Sequence, residues 1–254
     1  MADYNPRVVA SPTAVGVIDA GLRAYMLRVY NYMLAGLLIT GVASYATFLA
    51  SVTSDPSQAV AKLRGGIMLT SIGATLLGPF MWVLLLGSLG LVMFLSFRIQ
   101  TMSVTAARTS FLAYAALIGV TFGSLFIVYT AASIAQVFFI TAATFGAMSL
   151  WGYTTQRDLT GMGSFLFMGL IGIIIASLVG FFVHSSMLQW AISVAGVIIF
   201  TGLTAYDTQK IKEMYVAGDD GTVMGRKAIF GALSLYLDFI NLFLMLLRLL
   251  GSRR

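Results

Sequence analysis

The chain has no cysteine and a single histidine, His184. Disulfides, thiolate nucleophiles and cysteine-based metal sites are therefore excluded. One histidine also rules out a multi-histidine metal cluster. Charge is almost as scarce. Only 9% of the 254 residues are Asp, Glu, Lys or Arg, against about 25% in a soluble domain. What fills the space is apolar: 59% of residues are hydrophobic, arranged in long runs with short polar gaps. Lipid offers unpaired backbone groups no partner, and the runs lack the alternation of barrel strands. The composition predicts an all-α integral membrane protein. The net charge of +6 reflects residues that flank apolar runs, so nucleic acid is not expected as a partner. The lipid bilayer is.

Seven spans are predicted near Tyr25–Leu49, Leu76–Phe97, Ser110–Thr130, Ser133–Tyr153, Gly163–Val183, Leu188–Tyr206 and Ala228–Leu250. This divides the chain into an amino-terminal segment at 1–24, a seven-helix domain at 25–250 and a short basic tail at 251–254. The stretch before the first span is too polar and broken for a signal-peptide core. The weakly apolar segment Lys62–Thr75 reads as an interfacial helix or an early start of span two. Lys and Arg number ten on the side of the amino terminus and five on the other, which places the amino terminus in the cytoplasm. Seven spans then put the carboxyl terminus outside, where Arg253 and Arg254 break the rule. A re-entrant last segment would return them inside. Trp82, Trp151 and Trp190 fall near span ends, as interfacial anchors do. His184 reads as an interfacial loop residue. Gly119-x-x-x-Gly123 permits close helix approach. Asp219-Asp220-Gly221 lacks the alternating oxygen ligands of a calcium loop.

One acid stands inside an apolar run. Asp238 lies in AIFGALSLYLDFINLFLMLLRLL, roughly 15 Å from the start of that run at about 1.5 Å per residue. A carboxylate at such depth costs at least ~2.5 kcal/mol and is functional by default. Span seven places Ser234, Asp238 and Asn241 on one stripe, and the end of span six places Thr201, Thr204, Asp207 and Thr208 on another. Neither stripe faces lipid cheaply, so the two are expected to face each other. Arg98, at the end of span two, shares a level with Asp207, and an Arg–carboxylate pair there would be charge-assisted. Plainer readings stand beside these: Asp207 answering Lys210 one turn on, and Arg98 as a positive-inside anchor. By helix rise Asp238 is expected two or three turns deeper than Asp207.

The runs AYDTQKIK and ALSLYLDFINLFLMLLRLLG, with RAYMLRVYNYMLAGLLITG in span one, resemble the transmembrane Bax inhibitor motif (Bax inhibitor-1) family, most closely its bacterial members. The resemblance implies seven helices with the last at the centre, wrapped by the other six, in a bacterial inner membrane. It implies a pH-gated calcium leak with no prosthetic group, Ca²⁺ being the permeant ion. Asp207 and Asp238 would form the proton sensor and transiently meet Ca²⁺. Arg98 would latch the first aspartate, and Thr201, Thr204, Ser234 and Asn241 would line the pathway. Two carboxyls forced together titrate as a pair, and when ionised they offer hard oxygens to Ca²⁺. A proton-coupled cation exchanger and a scaffold without flux are the rival functions; protein partners are not specified. An intramembrane aspartyl protease is disfavoured, because Leu235, Tyr236 and Leu237 crowd Asp238 where a peptide would need room. No enzyme activity is expected.

Overall fold

The computed structural model describes residues 20–63, 66–183 and 185–254. His184 and two of the counted arginines, Arg7 and Arg64, lie outside the described residues. Seven stretches are long and apolar enough to cross a membrane. They are α1 (Ala20–Ser51), α3 (Phe80–Arg98), α4 with α5 (Val104–Phe122 and Leu125–Val128), α6 (Ala131–Thr154), α7 (Thr160–Phe182), α8 (Ser186–Glu213) and α9 (Gly221–Leu250). Each predicted span falls on one of them. Side-chain caps set several starts: Ser103 accepts from Ala106 N, Thr130 from Ser133 N, Ser185 from Leu188 N and Asp220 from Val223 N. These hydroxyl and carboxylate oxygens satisfy amide donors that have no partner within the helix.

The bundle is inside out relative to a soluble one. α7 exposes Phe165, Leu178 and Phe182, as a lipid-facing helix must. α9 is the exception, with 72% of its most apolar window buried against 11–39% for the other six. It packs directly on α8, α1, α6 and α4, while α3 lies chiefly on α4 and α7 chiefly on α8. Tyr236, at the middle of α9, is fully buried. Its ring meets Phe111 and Tyr114 edge-on at 5.6 and 5.9 Å. Its hydroxyl stands 2.7 Å from Thr40 Oγ1. The Gly119–Gly123 pair does what its spacing suggested: a methyl on Gly119 would stand 2.6 Å from the Thr40 carbonyl, and one on Gly123 2.7 Å from Thr47. α1 and α4 therefore touch backbone to backbone.

The segment between α1 and α3 is neither a lone interfacial helix nor an early start of span two. It forms a small antiparallel sheet, in which β1 (Val52–Thr53) and β2 (Ala61–Lys62) flank β3 (Met68–Leu69). The short helix α2 (Ser71–Leu77) follows, with Thr70 as its cap. Extended residues satisfy their backbone in the ladder, and a methyl on Gly73 would collide with the Ser51 carbonyl, so this element docks tightly on the end of α1. In the adjoining turn, Asp55 accepts from Ser57 N and Oγ, which holds its carboxyl below the usual range.

The last segment is not re-entrant. α9 is one helix of 30 residues, about 45 Å long at the standard rise. The tail beyond it is pinned to the junction of α5 and α6. Thr130 N donates to Ser252 O, Arg254 N to Val128 O and Ser252 N to Ser133 Oγ, at 3.1, 3.0 and 2.8 Å. The carboxyl terminus thus lies at the opposite end of the bundle from Asp207 and Lys210.

Candidate functional site

α8 and α9 run antiparallel, and their register is set by glycines. Gly231 seats Ile211, at 2.9 Å from a methyl built on it, and Gly196 seats Met245 at 2.7 Å. With Ile211 opposite Gly231, α9 begins roughly eight residues, about 12 Å, beyond the end of α8. That overhang is polar, and Lys227 pairs with Asp219 within it at 2.5 Å. The overhang cancels most of the difference in depth expected from sequence. Asp238 is not two or three turns deeper than Asp207; in this register it stands opposite Thr204, about 4.5 Å or one turn further in.

Asp207 and Asp238 are close enough for each to act on the other's carboxyl. Asp238 is buried, 6% exposed, and its Oδ2 receives no hydrogen from any other described group. A hydrogen bond between two carboxyls requires a proton on one of them, since ionised carboxylates only accept. Lys210, one turn after Asp207, acts on it electrostatically, and its ammonium lies 5.8 Å from the Tyr206 ring centroid.

The acids open on a cavity of about 1060 Å³ between α7, α8 and α9. Ser234 and Asn241 line it beside them, and Trp82 of α3 closes its outer side with an edge-on contact to Phe181 at 6.3 Å. Close packing of α7 on α8 shapes the wall. A methyl on Gly163 would press on the Tyr206 ring at 2.5 Å, and one on Gly202 on Leu166 at 2.6 Å. Asn241 Nδ2 donates to the Leu237 carbonyl at 2.8 Å. A second cavity of about 640 Å³ adjoins the first through Ser177 and Phe181, which line both, and reaches the opposite end of the bundle. Among the described residues no three His, Asp or Glu side chains gather, so the acids offer a permeant cation two carboxylates and not a closed cage.

The stripe expected on α8 splits. Asp207 faces the cavity, but its neighbour Thr208, 100° around the helix, faces α6 and α1. There Ser149 Oγ lies 2.9 Å from Thr208 Oγ1 and 2.6 Å from Tyr30 Oη. Thr208 Oγ1 in turn donates to the Thr204 carbonyl at 2.7 Å. Thr204 donates to the Phe200 carbonyl, and the buried Thr201 hydroxyl has no partner among the described residues. Neither threonine lines the cavity, contrary to the sequence expectation. Hydroxyls on helices readily turn back on the preceding carbonyl.

Arg98 is the other departure. It is exposed at the end of α3, whose neighbours are α4 and α2. Among the described residues no ion pair joins it to Asp207. α3 is too peripheral to bring its last residue to α8, and Lys210 is the cation at the site. The plainer sequence reading of Asp207 had named that lysine. Sequence reasoning missed Tyr30, Ser149, Ser177 and Phe181; isolated residues of these types in apolar runs carry no signal. Outside the spans, Asp158 accepts from Thr160 N at 2.8 Å, and its hydrogen bonds to Thr160 hold its carboxyl below the ordinary range.

A family model described as "Inhibitor of apoptosis-promoting Bax1" matches residues 22–254. The inner membrane protein YbhL of Escherichia coli (strain K12) is 50% identical over 238 residues, covering 92% of this chain and 94% of that protein. The uncharacterized protein RP147 of Rickettsia prowazekii (strain Madrid E) is 43% identical over 254 residues, the whole of both chains. An uncharacterized protein of Borreliella burgdorferi is 47% identical over 231 residues, 91% of this chain and 92% of that protein. A model match that takes in every spanning helix and both aspartates, together with full-length relatives at these identities, makes this chain a member of the Bax inhibitor-1-like family.

Proposed function

We propose that the protein is a pH-sensitive calcium leak of a bacterial inner membrane, gated by the proton held between Asp207 and Asp238. The observation that supports this reading is the pairing of the two carboxyls at the wall of a cavity between α7, α8 and α9. With one proton the pair carries a single negative charge. Loss of that proton adds a second, breaks the hydrogen bond between α8 and α9, and presents two hard-oxygen ligands to Ca²⁺. Gain of a proton neutralises both groups and removes the attraction. Proton count thus sets both cation occupancy and the bond that holds the two helices together. Lys210 takes the place expected for Arg98 as the cation that favours an ionised Asp207. The similarity to YbhL, an inner membrane protein, supports the inner-membrane placement. Among the described residues, nine Lys and Arg lie at the Asp207 end of the bundle and four at the other, which supports a cytoplasmic amino terminus.

The test is calcium flux in proteoliposomes measured across pH. The native chain should show a pH-dependent downhill flux, and Asp207→Asn and Asp238→Asn should each flatten its profile. If both variants keep the native profile, the sensor is wrong. Uphill calcium movement driven by a proton gradient alone would instead identify an exchanger.

A further inference from the structure

We propose that Arg248 and Arg253 form a binding site for a phosphate-bearing anion at the end of the bundle away from Asp207. Both side chains line the cavity of about 640 Å³ bounded by the end of α7, the start of α8 and the end of α9. The arginines lie close in sequence, Arg248 in the last turn of α9 and Arg253 in the tail that follows it. The tail holds its arginine in place. Arg253 pairs with Tyr129 in a backbone bridge, and the hydrogen bonds at Ser252 and Arg254 fix the residues on either side. Gly251 allows this docking: a methyl there would press on the Tyr129 ring at 2.7 Å.

No carboxylate lines the cavity. Asp55, the described acid nearest this end in the chain's topology, is occupied by Ser57 and Gln58. The ion pair found among the described residues, Lys227–Asp219, lies at the other end. Arg254 is spent elsewhere, 5.7 Å from the Phe48 ring centroid. Two arginines therefore line one cavity, with no ion-pair partner for either among the described residues. Ser186 and Gln189 add polar groups to the same wall. Guanidinium forks match the oxygens of a phosphate in paired hydrogen bonds. Trp190, 60% exposed at the start of α8, has the placement of a side chain at headgroup level. The shared chemistry is a phosphate group, from an anionic phospholipid or from solution. The site accounts for two arginines on the cation-poor end of the bundle, and it does not depend on the calcium reading.

Native mass spectrometry of the full chain in detergent, titrated with phosphatidylglycerol, phosphatidylcholine or inorganic phosphate, tests this. Phosphatidylglycerol should bind about tenfold more tightly than phosphatidylcholine, whose phosphate is the same but whose quaternary ammonium is repelled by the two arginines. Arg248→Gln and Arg253→Gln should each lose about that factor, Arg248→Lys less, and Arg254→Gln should bind as the native chain does. Gln at 253 leaves the backbone bridge intact, and unchanged thermal melting would show that the tail still docks. Displacement of phosphatidylglycerol by inorganic phosphate would place the phosphate group itself on the arginines. Binding of inorganic phosphate alone would support the site with a soluble occupant. Equal retention of both lipids, or native affinity in both Gln variants, would overturn it.

Discussion

α8 carries two polar faces that differ in kind. Toward α6 and α1, Thr208, Ser149 and Tyr30 form a short closed chain in which every hydroxyl has a partner. Toward α7 and α9, one residue earlier, Asp207 meets Asp238 across a cavity. The first face has its hydrogen bonds closed, although Tyr30 and Ser149 also line a groove of about 590 Å³ between α1 and α6; Gly152 brings α6 so near α8 that a methyl there would collide with the Ala205 carbonyl. The second face leaves Asp238 Oδ2 buried with no partner among the described residues. One helix thus combines a rigid seam and a chargeable one, separated by the 100° between adjacent residues. A seam of neutral hydroxyls cannot change its state with pH, whereas a carboxyl pair must.

The contrast can be broken from either side. The largest effect is expected at the acids, where Asp238→Asn should abolish the pH dependence of flux while Thr208→Val leaves it in place. Equal flattening by both would mean that the two faces act as one. On the packed side, Gly152→Ala should cost about 1–3 kcal/mol through overpacking, read as a lowered melting midpoint. Gly146→Ala, two turns earlier and with nothing within 4 Å, should not, so equal losses would deny that the α6–α8 contact is tight. Tyr30→Phe should cost less, about 0.6–1 kcal/mol for a hydrogen bond among membrane helices, with the flux profile unmoved.

The smallest effect is expected at Asp158. Its folded carboxyl ionises below the ordinary value, so its contribution is present above the unfolded value and is lost as pH falls through the folded one. Asp158→Asn should lower the melting midpoint slightly at neutral pH and not at all in acid. A shift that persisted in acid would rule out the capping explanation.

The spans were legible because each is a run of apolar residues long enough to be recognised without neighbours. Asp238 was legible for the same reason, as a charge inside such a run. Its pairing with Asp207 was legible as two polar stripes, but their relative depth was not. Counting from the first apolar residue measures distance along one helix, and only the seating of Ile211 on Gly231 relates one helix to another. Thr201 and Thr204 were misread because helical spacing groups residues within about a third of a turn, and α8 is contacted on both sides of that arc. Arg98 was misplaced because sharing a membrane level says nothing of lateral distance, and α3 lies at the edge of the bundle.

By itself the sequence determined the class of the molecule, its spanning helices and the two acids worth following. These depend on local composition, on the cost of charge in lipid and on motifs contiguous along the chain. Only the tertiary structure decided how near in depth the two acids lie, which cation stands beside them and where the tail docks. Those depend on glycine-set registers and lateral neighbours, which residues far apart in the chain create together.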